Sequence, residues 1–415
     1  MSSLHLPTRR DMLLASGALF AWAYTPKLAR AEGRDPRVLV IVLRGALDGL
    51  AMVAPVGDPD WVSLRGDRAL VLDGETPALP LDSLFALNPA MPNLHRLYQA
   101  EQAAIVHATA TPYRERSHFD GQDVLESGLT KPGATDSGWL NRALSLLEAD
   151  GRVKPQGGRA FAVGPVTPLV VRGAAPVMSW VPPQLLPASD DTHMRLLDLY
   201  RLTDPKLARA LEGRRDLVTL ARDGAMDAMT PRDGEAPAMG IARVREYFAN
   251  AAGTAAKYLA RPDGPRVGAV GFVGWDTHIN EGAAGGQLAG LLGALDGAIG
   301  AIEKAMADAW TETVVAVVTE FGRTARINGT DGTDHGTATV AVLTGGALKG
   351  GRVIADWPGL KPADLHEGRD LKPTIDLRAV LKGVLKDHLR VDEGALAANV
   401  FPGSGDAKPM TGLFA

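Results

Sequence analysis

Five stretches of the chain are apolar almost without interruption, and none alternates with polar positions. Residues 37–44 (RVLVIVLR), 103–108 (AAIVHA), 266–273 (RVGAVGFV), 314–319 (VVAVVT) and 337–343 (TATVAVL) are short and mostly rich in β-branched side chains. That is the pattern of strands covered on both faces. Shorter or weaker strand patterns lie within 158–185, which is also rich in Pro and Gly, and at 350–355. Helical spacing takes over elsewhere. Over 286–310, Leu288, Leu291, Leu292, Leu295, Ile299, Ile302 and Met306 fall on one stripe, which is a core-facing face and needs no cofactor to explain it. Weaker helical patterns cover 94–98, 376–389 and two blocks, 190–223 and 240–259, that together read as a helical insertion over about 190–262. Buried strands alternating with helices define an α/β protein. No repeat of fixed period appears.

Polar chemistry gathers where these strands end. Between the runs at 314–319 and 337–343 lie Glu320, Arg323, Asp334 and His335, in a loop punctuated by glycine. After 37–44 come Gly45 and then Asp48-Gly49, so Asp48 is either a site carboxylate at the sheet edge or an ordinary turn aspartate. After 266–273 comes Gly-Trp-Asp-Thr-His; Asp276 and His278 are two apart on an extended chain and point the same way, toward one metal or one substrate oxygen. After 103–108 the chain reads TPYRERSHFDGQDVLESG. Ser117 is placed to cap the following helix, with Asp120 as a capping-box partner, or to present its hydroxyl beside the helix N-terminus, or both. His118 is either a site residue or a packing histidine.

Composition narrows the partners. A net charge of −4 with interspersed signs, and no basic run beyond Arg214-Arg215 after residue 31, gives no support to a nucleic-acid or anionic-membrane surface. The absence of cysteine excludes disulfides, thiolate metal sites and a cysteine nucleophile, so any metal must be held by His, Asp, Glu or hydroxyls. Near the N-terminus, Arg9-Arg10 precede a modestly apolar stretch over 12–24, and Ala29-Arg30-Ala31 supplies small residues before Glu32. Residues 1–31 read as a twin-arginine signal, too short in its apolar part to be a stable membrane anchor. The expectation is a periplasmic or secreted protein handled by the twin-arginine translocation machinery, with residues 32–415 as the mature domain.

The segments LRGALDGL, RSHFDGQDVLESG, GWDTH, TEFGRT, GTDHG and DWPGL, in this order, resemble the exported proteins of the domain-of-unknown-function 1501 family, which is grouped with the alkaline phosphatase and sulfatase superfamily. The resemblance implies a three-layer α/β/α fold with a central, mostly parallel sheet. It also implies Asp48 as a first-strand metal ligand, Ser117 as nucleophile, Asp276 and His278 as ligands, and His335 as the late histidine ligand. The chain departs from the superfamily pattern at Glu320-Phe321, where Asp-His is usual. Phe321 cannot bind a metal. Glu320 can replace the aspartate, with His118, or His335 with Asp334, left to supply the missing ligand.

The function that follows is a metal-dependent hydrolase of phosphate or sulfate esters, acting on a small-molecule or glycan substrate. The cofactor is a divalent cation: zinc, calcium, magnesium or manganese. Such a cation gathers charge from the ester oxygens while Ser117 attacks and Arg323 or Arg116 clamps the ester. The alternative is a non-catalytic binding or assembly protein on the same fold. No G-x-S-x-G elbow, dinucleotide fingerprint or P-loop is present, so a serine hydrolase of the usual kind and a nucleotide cofactor have no support.

Overall fold

The computed structural model describes residues 34–133, 135–150, 160–164, 166–180, 200, 208–209 and 240–414. The segment read as an export signal, and most of the helical insertion expected over about 190–262, lie outside the described residues. The described residues from Pro36 onward belong to one compact unit.

In chain order the strands are β1 (Arg37–Arg44), β2 (Val53–Ala54), β3 (Leu79–Pro80), β4 (Ala86–Leu87), β5 (Ala103–Ala110), β6 (Ala160–Val163), β7 (Val177–Trp180), β8 (Val267–Val273), β9 (Thr313–Thr319), β10 (Thr339–Thr344), β11 (Arg352–Ile354) and β12 (Ile375–Asp376). The α-helices that matter here are α1 (Gly49–Met52), α2 (Trp61–Arg65), α3 (Pro92–Gln99), α4 (His118–Ser127), α5 (Trp139–Ala149), α6 (Ile241–Ala260), α7 (Gln287–Met306) and α8 (Leu377–Gly383). All five continuous apolar runs are strands. Helix α6 is the described end of the expected insertion.

The main sheet has the order β11-β5-β10-β9-β1-β8-β6-β7, with β12 also on β5. All its pairings are parallel except those of β10, which runs antiparallel to both β9 and β5. The small β2-β4-β3 sheet lies apart from it in strand order. Strand β1 is central, with Val38 opposite Val267 on one side and Val314 on the other. Its side chains divide by parity. Leu39, Ile41 and Leu43 join the core under α3, α6 and α7, whereas Val38, Val40 and Val42 join the core under α5 and α8. A two-residue side-chain period buried on both faces produces the α/β/α layering directly.

Because β10 is antiparallel to β9 and to β5, strands β1, β5, β8 and β9 all run the same way. Their C-terminal ends therefore open onto one edge, where α/β sheets place their ligands. At that edge β5 carries a bulge: Thr339 lies opposite Thr109 and Ala341 opposite Val106, so β5 has one residue more than β10. The extra residue is Ala108, with φ +54°. Its N–H donates to Nδ1 of His107 at 2.7 Å, and His107 Nε2–H donates to Val53 C=O at 2.9 Å. The imidazole is held neutral between the Phe85 and Trp357 rings.

Burial lowers the His107 pKa to about 4. The unfolded chain, with an ordinary histidine near 6.5, binds a proton there that the fold rejects, so this group's contribution to stability is full above about pH 6.5 and falls as the pH drops toward 4. The expected outcome is that lowering the pH from 7 to 4.5 costs the wild type about 2–3 kcal/mol more unfolding free energy than it costs His107→Gln. Urea unfolding at the two pH values checks this; equal losses in the two proteins would remove His107 as the cause.

Candidate metal centre at the strand ends

Four sequence-predicted residues meet at this edge. His118 is the first residue of α4; Asp276 and His278 follow β8; His335 lies in the loop before β10. The Nε2 atoms of His278 and His335 are 3.0 Å apart and lie 2.9 and 3.2 Å from Asp276 Oδ1, while His118 Nε2 lies 3.4 Å from Asp276 Oδ2. His118, Asp276 and His335 can offer ligand atoms that all lie within 4.8 Å of one another.

The backbone explains this convergence. Pairing of β9 with β10 continues into the loop as a bridge between Arg323 and His335. Gly322 and Gly336 allow it, since a Cβ on Gly322 would stand 2.0 Å from the Ala338 carbonyl oxygen, and one on Gly336 2.4 Å from the Arg323 carbonyl. On the other side of the site, Thr333 N–H donates to Thr277 C=O, tying the β9–β10 loop to the segment after β8.

Each imidazole has its inner nitrogen occupied. His118 Nδ1 meets Glu320 Oε1 at 2.9 Å, His278 Nδ1 meets Asp334 Oδ1 at 3.2 Å, and His335 Nδ1 meets the carbonyl oxygen of Arg116 at 2.9 Å. All three partners only accept, and so does Asp276 on the Nε2 side, so each ring stands between two acceptors; with the proton on Nδ1, the Nε2 lone pair faces the centre, which is the arrangement that a cation there requires. This is how metal-binding histidines are usually oriented.

Two further observations favour a cation there. His118 Nε2 is buried without a hydrogen-bond partner. Moreover, two such lone pairs on His278 and His335, 3.0 Å apart, repel unless a proton or cation lies between them. With ligand bonds of about 2.0–2.1 Å, atoms on one tetrahedral ion stand roughly 3.3–3.4 Å apart, close to the separations of His278 from His335 and of the three Nε2 atoms from Asp276. The residues present fit a metal.

Glu320 belongs to the supporting layer. Expected as a ligand, it is fully buried, and its carboxylate accepts from His118, the N–H of Gly45, Gln122 and Thr319. Burial pushes its carboxyl up, but these donors outweigh it and hold the pKa below the usual value. The same hydrogen bond raises the pKa of His118, whereas burial lowers that of His335. Phe321 stacks on the His118 ring, with centroids 5.1 Å apart. Asp334 likewise supports His278 and is itself held by Asn328.

Neither arginine expected to clamp an ester is uncommitted. Arg323 is buried and donates to Asp276 Oδ1 at 2.6 Å and to Thr333, which leaves Asp276 Oδ2 as the oxygen nearer His118. Burial works against the charge of Asp276, but Arg323 outweighs it and holds the carboxyl below its usual range. Arg116 pairs with Asp370 and Glu367.

The structure does not bring Asp48 to the histidines. Its carboxylate caps α1, accepting from the N–H groups of Leu50 and Ala51, and forms a buried two-pronged pair with Arg65 at 2.6 and 3.0 Å. The cap explains the Asp-Gly signature, and the guanidinium supplies the neutralising charge that a metal was expected to supply. Burial and the Asp48 charge push the neighbouring Glu281 up to about 8, so it holds its proton at neutral pH and leaves Arg65 to Asp48. Ser117 is the N-cap residue of α4 but makes no side-chain cap bond, and Asp120 accepts from the Tyr113 hydroxyl, so the expected capping box does not form.

Sequence reasoning missed Arg65, Glu281, Gln122 and Asp370. Asp370 is fully buried and bonds Arg116 across 254 positions, a separation that leaves no local signal.

A layered, mostly parallel α/β protein with a histidine and carboxylate cluster at the strand ends is the class that fold and site define. The chain belongs to the family described as "Protein of unknown function (DUF1501)", which it matches over residues 96–401. No curated protein matches it in sequence. Among solved structures it is similar to the C-terminal periplasmic domain of EcEptC from Escherichia coli in complex with Zn, at 12% identity and a TM-score of 0.32, covering 76% of this chain and 74% of that one. It is similar to the phosphonate monoester hydrolase of Agrobacterium radiobacter, at 13% and 0.34, covering 86% and 74%. It is also similar to the alkaline phosphatase of the Antarctic bacterium TAB5, at 13% and 0.35, covering 77% and 95%. Likenesses this distant assign no residue a role, and the roles above rest on the geometry of this chain.

The expected outcome of substitution separates ligands from bystanders. His118→Ala, Asp276→Ala and His335→Ala should each weaken cation binding by at least about 10-fold. Asp48→Ala should instead cost about 3–5 kcal/mol of stability, because it strands a buried guanidinium, and leave the cation content of the folded protein unchanged. Elemental analysis combined with denaturant unfolding measures both; loss of the cation in folded Asp48→Ala would return Asp48 to the ligand set.

Proposed function

We propose that this protein is an exported, metal-dependent hydrolase of phosphate or sulfate esters, with His118, His278, His335 and Asp276 holding one divalent cation. The observation that carries the reading is the convergence of three Nε2 atoms on one carboxylate, each ring having an acceptor behind its Nδ1. Three nitrogens and one oxygen suit zinc better than calcium or magnesium, which prefer all-oxygen surroundings. When bound, the cation supplies positive charge against the oxygens of the ester.

The chain's own groups have distinct tasks in this reading. Ser117, half-buried beside His118 and free of any cap bond, carries the attacking hydroxyl. Its N–H donates to the Tyr113 hydroxyl at 3.3 Å, which holds the backbone extended at the start of α4. The first-turn N–H groups of that ten-residue helix offer donors to an oxyanion. Arg323 orients Asp276, and Glu320 orients His118. Residues 1–31 serve as a twin-arginine signal, which places the protein in the periplasm or outside the cell; no described helix is long and apolar enough to cross a membrane. Small-molecule or glycan esters are the substrate class.

A second reading, a non-catalytic binding or assembly protein, is favoured by one observation: the guanidinium groups of Arg116 and Arg323 are both paired with carboxylates. Assays of zinc-loaded protein with an aryl phosphate and an aryl sulfate separate the two. The expected outcome is hydrolysis of at least one ester, lost by about 10³-fold or more in Ser117→Ala. Stability of that variant should change by less than roughly 0.5 kcal/mol, since no cap bond is removed. Stoichiometric zinc without hydrolysis of either ester would establish the second reading.

A further inference from the structure

We infer that Asp370, acting through Arg116, is a positioning residue that keeps the proton of His335 on Nδ1 and so keeps its Nε2 turned to the centre. The path is short and each link is a hydrogen bond. Arg116 has φ +59°, a conformation that side-chain-bearing residues rarely adopt. Its guanidinium reaches the fully buried Asp370, with Nε and Nη2 donating to Oδ2 at 2.9 and 2.7 Å. Held there, Arg116 turns its carbonyl oxygen to His335 Nδ1, 2.9 Å away.

Asp370 also grips the segment that carries His335. Thr337, two residues on, donates its hydroxyl to the same Oδ2 at 2.8 Å, and the neighbouring Arg369 donates to the carbonyl oxygen of His335 at 2.8 Å. The backbone of Asp370 bridges Thr324, next to the Arg323 that pairs across from His335. One buried carboxylate thus fixes both the acceptor behind His335 and the loop segment on which the ring is mounted. Glu367, the other partner of Arg116, is exposed and touches neither.

The inference rests on the metal-centre reading only for its zinc arm. The test uses the full chain as wild type, Asp370→Asn, Arg116→Lys and Glu367→Gln. In metal-free protein, long-range proton–nitrogen correlation of the imidazoles reports which nitrogen carries the proton; zinc alone, titrated against a chromophoric chelator, reports affinity. Asp370→Asn and Arg116→Lys should each let His335 populate the Nε2–H form and should weaken zinc by about 10–100-fold, whereas Glu367→Gln changes neither. If Asp370→Asn does not fold, Arg116→Lys carries the same comparison, because it keeps the backbone and loses the two-pronged fork. An unchanged Nδ1–H form in the folded variants overturns the inference, whatever happens to zinc. A wild type that takes up no zinc removes the metal-centre reading, and the tautomer measurement still decides the role of Asp370.

Discussion

Three imidazoles can gather around one carboxylate only if something fixes the far nitrogen of each ring, and the site is built around that requirement. The acceptors come from three places: Glu320 at the end of β9, Asp334 in the β9–β10 loop, and the carbonyl of Arg116 before α4. The strand directions bring them together. Because β1, β5, β8 and β9 share one direction, four chain segments far apart in sequence leave the sheet at the same edge.

Charge pairs hold carboxylates in the site, behind it and away from it. Asp48 with Arg65, Asp276 with Arg323, and Asp370 with Arg116 each place a guanidinium on a carboxylate. A buried carboxylate with neither such a partner nor, like Glu320, a set of hydrogen-bond donors is pushed toward its protonated form, the direction in which burial and the Asp48 charge move Glu281. The pairs therefore decide which carboxylates remain ionised near the centre and in which direction their free oxygens point.

Much of this was legible in the sequence and some of it was not, for physical reasons. The continuous Val-rich runs gave the buried strands, and the three-residue and four-residue spacing of leucines in α7 gave its buried stripe, because both signals are local periodicities. Asp276 and His278 are marked in the sequence because polar residues joined to an apolar run through a glycine sit at a strand end, and His335 because it lies in the glycine-punctuated loop between two apolar runs. Their division from Glu320 and Asp334 was not legible: the side chains that meet in the centre and the acceptors behind the rings are the same residue types at the same strand ends. Asp48 misled for a related reason, since a helix-capping aspartate and a metal-binding one share the Asp-Gly turn, and the deciding Arg65 belongs to another helix. The antiparallel course of β10 also left no trace in its composition.

The central place of β1 has a consequence for how the chain reaches its fold. Its neighbours, β8 and β9, begin more than two hundred residues later, at Val267 and Thr313. During synthesis, and until those strands exist, six consecutive aliphatic residues have no native partner, a situation that favours slow folding and association with other unfinished chains. Arg37 and Arg44 bracket the segment on both sides. Charges flanking an unavoidable hydrophobic strand oppose edge-to-edge stacking, so the two arginines guard the nascent chain through the interval in which a strand buried on both faces of the finished protein is an exposed liability.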